Sequence, residues 1–151
     1  MRTIHYNTRY MNIEHIKTFL DRRPTMISAL GMQLLSTTEA DTCAATMAVG
    51  DSTCQPYGFL NGGASLALAE NLAGVGSQAL CPDCRCMGTN VSGQHMKTAR
   101  VGTTVTAVAK LLHKGHTLHN WLVTITDEHG DTVSTVSVTN FILPSKDNNG
   151  R

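Results

Sequence analysis

With 151 residues and a mass of 16.2 kDa, the chain suits one domain and hardly allows two. Only 15% of its residues are charged, and 12 Lys+Arg against 11 Asp+Glu leave a net charge of +1, which provides no basic footprint for nucleic acid or an anionic membrane. An apolar content of 41% excludes a highly charged disordered chain, and no stretch approaches the ~18 uninterrupted apolar residues of a membrane span.

The opening segment MRTIHYNTRYMNIEHI lacks the apolar region of a secretory signal. Five cysteines, an odd number in a chain large enough to fold without staples, predict reduced thiols and a cytoplasmic setting. Residues 12–23 predict a short amphipathic helix, with Asn12 as N-cap, Ile13, Ile16, Phe19 and Leu20 on one face and Pro24 as its stop. Two strand-like runs, GMQLLSTT and TCAATMAV, follow, and Gly50, Pro56 and Gly58 punctuate a loop over 50–60. Asn61 to Leu80 is rich in Ala and Leu, apolar on nearly every side and long enough for about five helical turns. Such a helix belongs in the middle of a structure. Its Ala67, Ala73, Gly74 and Gly76 let neighbouring backbones approach closely.

Cys81-Pro82-Asp83-Cys84-Arg85-Cys86 reads as a loop between this helix and a strand. Cys43 and Cys54 do not form the second close pair a zinc site wants, and a thioredoxin-like motif would open a helix, so the thiols are read as loop residues. From here the apolar period changes to two. Met87–Lys97, Thr103–Leu112, residues around Trp121–Thr126 and Asp131–Leu143 predict four strands, with a hairpin turn at Asp127-Glu128-His129-Gly130. His113, His116 and His119 would align only on a helix, which Gly115 disfavours, so they are read as surface histidines. The organisation is an N-terminal arm and short helix over 1–30, one α+β domain over 31–143, and a tail over 144–151. A sheet curling around a single central helix satisfies this order of elements.

Between Asp51 and Asp83 the one formally charged side chain is Glu70, in the third turn of the apolar helix. A buried carboxylate costs several kcal/mol unless it is paired or keeps its proton, and desolvation raises its pKa towards the range of a general base. A cation from another strand or a route to solvent could also satisfy it, but the long charge-free flanks favour a functional role. At the start of the same helix, Gly62 and Gly63 present unpaired N–H groups at the positive end of the dipole. These can receive a carbonyl oxygen that becomes an oxyanion. Eight residues separate Gly62 from Glu70, roughly 12 Å along one helix, too far for both to serve one carbonyl. If both act, they come from different subunits across a two-fold axis. Sparse surface charge is consistent with such an interface.

Gln55-Pro56-Tyr57-Gly58-Phe59-Leu60-Asn61-Gly62-Gly63-Ala64-Ser65, followed by Leu68-Ala69-Glu70, resembles the signature of hotdog-fold acyl-CoA thioesterases. More narrowly it is similar to the PaaI-like group that includes 4-hydroxybenzoyl-CoA and 1,4-dihydroxy-2-naphthoyl-CoA thioesterases. Gln94-His95-Met96-Lys97-Thr98-Ala99-Arg100, Leu112-His113-Lys114-Gly115 and Trp121 resemble further family segments. The resemblance implies a hotdog fold, an antiparallel curved sheet wrapped around one long central helix. It implies that Glu70 is the catalytic carboxylate, as nucleophile or as base on water. Gly62 N–H would polarise the thioester carbonyl, and Gln55 would place the carbonyl or the water. Asn61 and Gly63 would complete the helix start, His95 and Gly74 would line the acyl region, and Lys114, Gly115, His116 and Thr117 would lie near the CoA phosphates. It further implies a homodimer as the minimal active unit, dimers pairing into tetramers, and no cofactor or metal beyond coenzyme A within the substrate. Two positions depart from the pattern: Asn61 stands where the family has His, and Gly74 where it has Ser or Thr. Asn can cap and donate but cannot act as acid or base near neutral pH. The departures leave open an acyl-CoA-binding hotdog protein without catalysis; a hotdog dehydratase, which would use a His at position 61, fits less well.

Overall fold

The Val/Thr alternation of the C-terminal half becomes one antiparallel sheet, and the Ala/Leu segment becomes the helix that lies against it. The computed structural model describes residues 10–145; the first nine residues of the arm and the last six of the tail lie outside them. Elements in chain order are α1 (Glu14–Leu20), α2 (Met26–Ala29), β1 (Gln33–Leu35), β2 (Thr42–Ala48), α3 (Gly62–Leu80), β3 (Cys84–His95), β4 (Thr104–Lys114), β5 (Leu118–Thr126) and β6 (Thr132–Pro144). The six strands are ordered β1-β2-β4-β5-β6-β3. This is the hotdog architecture, with β3 at one edge of the sheet and α3 packed against β2 to β6.

Period-two burial explains the packing. Val105, Ala107 and Ala109 of β4, Trp121, Val123 and Ile125 of β5, and Val136 and Val138 of β6 all face α3 and are inaccessible or nearly so. From the helix, Leu68, Ala69, Leu72, Ala73 and Val75 meet them. At Gly76 the two layers come closest: a β-carbon there would stand 2.5 Å from Trp121 Cη2 and 2.9 Å from Cys43 Sγ. Gly76→Ala is therefore expected to destabilise the fold by about 1–3 kcal/mol through overpacking, read as a lower urea midpoint with unchanged slope. A variant as stable as the parent would show that the helix can lift off Trp121 freely.

Several sequence expectations are corrected. The first helix starts one residue after Ile13; Asn12 Oδ1 accepts from Glu14 N–H at 3.1 Å, while Ile13 occupies the cap position. Phe19 is 62% exposed under the Arg22 guanidinium instead of sharing the buried face of Ile13 and Ile16. Thr25 and Ser28 form a reciprocal capping box, so a second short helix follows Pro24. Strand β3 begins at Cys84 rather than Met87, because backbone pairing with β6 captures Cys84 and Cys86. Strand β4 continues to Lys114 across a register shift between Leu111 and His113.

The largest correction concerns His119, which is fully buried rather than on the surface. Strand β5 points it inward in the same alternation as Trp121, and Ser77 of α3 supplies its partner. Ser77 Oγ accepts from Trp121 Nε1–H and Asn140 Nδ2–H, both at 2.9 Å, and lies 3.0 Å from His119 Nδ1. With both lone pairs taken, the hydroxyl proton goes to Nδ1. That network calls for the neutral tautomer of His119 with its proton on Nε2, which faces Cys81 Sγ at 3.9 Å. Burial, reinforced by Lys114 and His113, pushes its pKa below the usual imidazole value.

Candidate active site

The loop before α3 is shaped by its own sequence. Gln55-Pro56-Tyr57-Gly58 turns back on itself, with Gly58 N–H donating to Gln55 C=O at 3.0 Å and Gly58 at φ +80°, where a side chain is strained. Gln55 N–H donates to Phe59 C=O at 2.8 Å, which fixes Gln55 beside the helix start. Asn61 caps α3: its Oδ1 accepts from Gly63 N–H at 2.7 Å. That corrects the expectation of two free amides. Gly63 N–H is used by the cap, while Gly62 N–H has no partner among the described residues.

Facing Gly62 is His95, at the end of β3. A β-carbon on Gly62 would lie 2.6 Å from His95 Nε2, so only glycine lets the imidazole sit over the helix N-terminus. His95 Nδ1 is 2.8 Å from Ser134 Oγ, and Ser134 is fully buried. Gln55, Gly62, Ser65, His95 and Ser134 line one cleft of about 230 Å³.

Glu70 is elsewhere. Residues Leu66, Ala67, Glu70, Asn71, Gly74 and Gln78 form the half-buried side of α3, so the helix is not enclosed all round as its composition suggested. The Glu70 carboxylate has no hydrogen bond or ion pair among the described residues. With Gly74, Ile16, Phe19, Cys86 and Gly88 it lines a separate cleft of about 420 Å³. No heavy atom comes within 4 Å of a β-carbon built on Gly74, so its missing side chain leaves open space.

Lys114, Gly115, His116 and Thr117 make the β4–β5 turn and line a third cleft, of about 370 Å³, with Cys81, Cys84 and Ile142. Burial pushes the Cys86 thiol up to about 11 and the Cys81 thiol upward as well, which keeps both protonated and weakly nucleophilic at neutral pH. Among the described residues, no three His, Cys, Asp or Glu side chains converge on a point where a metal ion could sit. The sequence reading therefore gathered residues that one chain holds in three places. It missed Ser134 and Gly88; a glycine inside a strand is the signal that could have found the latter.

Residues 57–134 match the family model described as the thioesterase superfamily. The chain belongs to that superfamily and is an enzyme of the thioester-hydrolase class. Among its relatives, the proofreading thioesterase EntH of Cronobacter sakazakii is 32% identical over 140 residues, covering 92% of this chain and 96% of that one. The 1,4-dihydroxy-2-naphthoyl-CoA hydrolase of Escherichia coli is 38% identical over 105 residues, 68% of this chain and 76% of that one. The crystal structure of a mutant of thioesterase PA1618 from Pseudomonas aeruginosa superposes with a TM-score of 0.79 at 27% identity, covering 88% and 94% of the two chains. Among the described residues no helix is long and apolar enough to cross a membrane.

Proposed function

We propose that the chain hydrolyses the thioester of an aryl- or short-chain acyl-CoA in a site shared by two copies. One copy contributes Gln55, Asn61, Gly62, Gly63 and His95; the other contributes Glu70 and Gly74. The observation that carries this reading is the separation of the Gly62 cleft from the Glu70 cleft on opposite stretches of one helix. Both clefts flank β3, an edge strand of 12 residues whose outer side pairs with no other strand among the described residues. Arg85 is the single formally charged residue in that strand, so its edge is poorly protected against pairing with a second copy. Two copies related by a two-fold axis would run their helices antiparallel and bring each Glu70 to the other's Gly62.

In that site the Gly62 N–H, at the positive end of the α3 dipole, stabilises the oxygen of the thioester carbonyl as it becomes an oxyanion. Glu70 either attacks the carbonyl carbon, giving a mixed anhydride that water opens, or draws the proton from an attacking water. In both routes the C–S bond breaks and CoA leaves as its thiol. Lys114, Gly115, His116 and Thr117 are the residues assigned to the CoA phosphates, with Lys114 supplying the charge. Coenzyme A enters only as part of the substrate, and no metal or cofactor is required. The setting proposed is cytoplasmic, with dimers pairing into tetramers.

A panel of benzoyl-, hydroxynaphthoyl-, phenylacetyl- and hexanoyl-CoA, followed by thiol release, tests this reading. Turnover of at least one aryl or short acyl thioester is the expected result. Tight binding of CoA ligands with no turnover of any thioester would favour a binding protein instead, the reading that Asn61 and Gly74 would then explain.

A further inference from the structure

Strand β3 carries two glycines, Gly88 and Gly93, against which side chains of α3 lie. At Gly93 a β-carbon would press on Leu66 Cδ2 at 2.7 Å. At Gly88 the three atoms nearest to such a carbon all belong to Glu70: it would overlap Oε1 and stand 3.0 and 3.1 Å from Cδ and Cγ. Gly88 does not adopt a positive φ, so its backbone would accept alanine without strain. It is exposed at the sheet edge, so the core does not forbid a side chain either. What a side chain at 88 would strike is the Glu70 carboxylate as it now lies.

The local backbone is irregular at the same place. Gly88 pairs with Asn140 and Asn90 with Thr139, which leaves Thr89 as an extra residue in a bulge. Thr89 Oγ1 donates to Thr139 C=O at 3.2 Å and fastens that bulge to β6. Bulges bend an edge strand and re-aim what lies beside it. Here the bulge falls at the one point of β3 where a carboxylate rests.

We propose that Gly88 is a positioning residue for Glu70: by presenting bare backbone at the β3 bulge, it lets the carboxylate lie against the sheet edge where a second copy meets it. The proposal rests on the reading of Glu70 as the catalytic carboxylate. It does not make Gly88 a catalytic residue, because Gly88 acts only through the side chain it accommodates. A methyl group at 88 meets the flexible end of a glutamate, so the fold adapts by swinging the carboxylate away. Chemistry should suffer while stability does not.

The test is a cycle of Gly88→Ala and Glu70→Ala, assayed with whichever of the four acyl-CoA probes is turned over fastest, together with a crystal structure of Gly88→Ala. Expected for Gly88→Ala are a kcat at least tenfold lower, a KM within about threefold, an unchanged oligomeric state and a displaced Glu70 carboxylate. In the Glu70→Ala background the added methyl should cost nothing further, since nothing remains for it to strike. An equal loss with and without Glu70, or a loss carried by KM, would overturn the proposal in favour of general packing. Full activity of Gly88→Ala beside an inactive Glu70→Ala would overturn the role of Gly88 alone. Full activity of Glu70→Ala would overturn the assignment of Glu70 and with it that of Gly88.

Discussion

Glu70→Ala is expected to lower turnover at least a hundredfold while folding and oligomeric state persist. A proton acceptor positioned at the reacting group contributes roughly 10²–10⁴-fold, and a carboxylate that attacks directly contributes through a covalent intermediate. Folding should tolerate the loss of this side chain. It is half-buried, and no hydrogen bond or ion pair among the described residues is lost by truncating it, so no buried partner is orphaned. The effect should fall on kcat with KM little changed, as expected for a group that acts in the transition state and not in ground-state binding. Thiol release under saturating acyl-CoA, with size-exclusion chromatography as the control, decides it. Undiminished kcat would remove Glu70 from the mechanism.

Much of this was legible in the sequence because the signals were of the kind that composition and period transmit. The change from helical to alternating periodicity at about residue 87 marks where α3 gives way to the long strands. The lone carboxylate and the Gly-Gly start stand out against an uncharged helix, and their spacing along one helix calls for a second chain if both are to serve one carbonyl. What stayed hidden depends on neighbours distant in sequence. His119 carries no local mark of burial: its partners Ser77 and Cys81 lie 42 and 38 residues away, so proximity to Gly115 read as a surface turn. Cys84 and Cys86 joined β3 because β6 pairs with them, not because of any strand propensity of their own. Gly88 looked like one more small residue until the helix brought Glu70 over it. Asn61 was legible as a cap, but not that its side chain uses the second of the two glycine amides.

The buried node around Ser77 carries the other large expected effect, on stability. Ser77→Ala removes one oxygen and leaves Trp121 Nε1–H, Asn140 Nδ2–H and His119 Nδ1 without their partner in a site closed to solvent. Each such orphan costs about 1–3 kcal/mol, and Asn140 Oδ1 already lacks a partner among the described residues. A loss of roughly 3 kcal/mol in urea unfolding at pH 7.5 is therefore expected. The same burial makes the parent protein acid-sensitive. Because the folded pKa of His119 lies below its unfolded value, the unfolded chain takes up the proton first. Its contribution is complete above an ordinary imidazole pKa of about 6.5 and is lost as the pH falls from there towards the folded value. Imidazole nitrogen NMR reads the site directly: a neutral ring with Nε2 protonated and Nδ1 bare should persist in the folded protein at pH 6.5. A doubly protonated His119 at that pH would overturn the neutral assignment, and a Ser77→Ala variant as stable as its parent would show that the node does not depend on the hydroxyl.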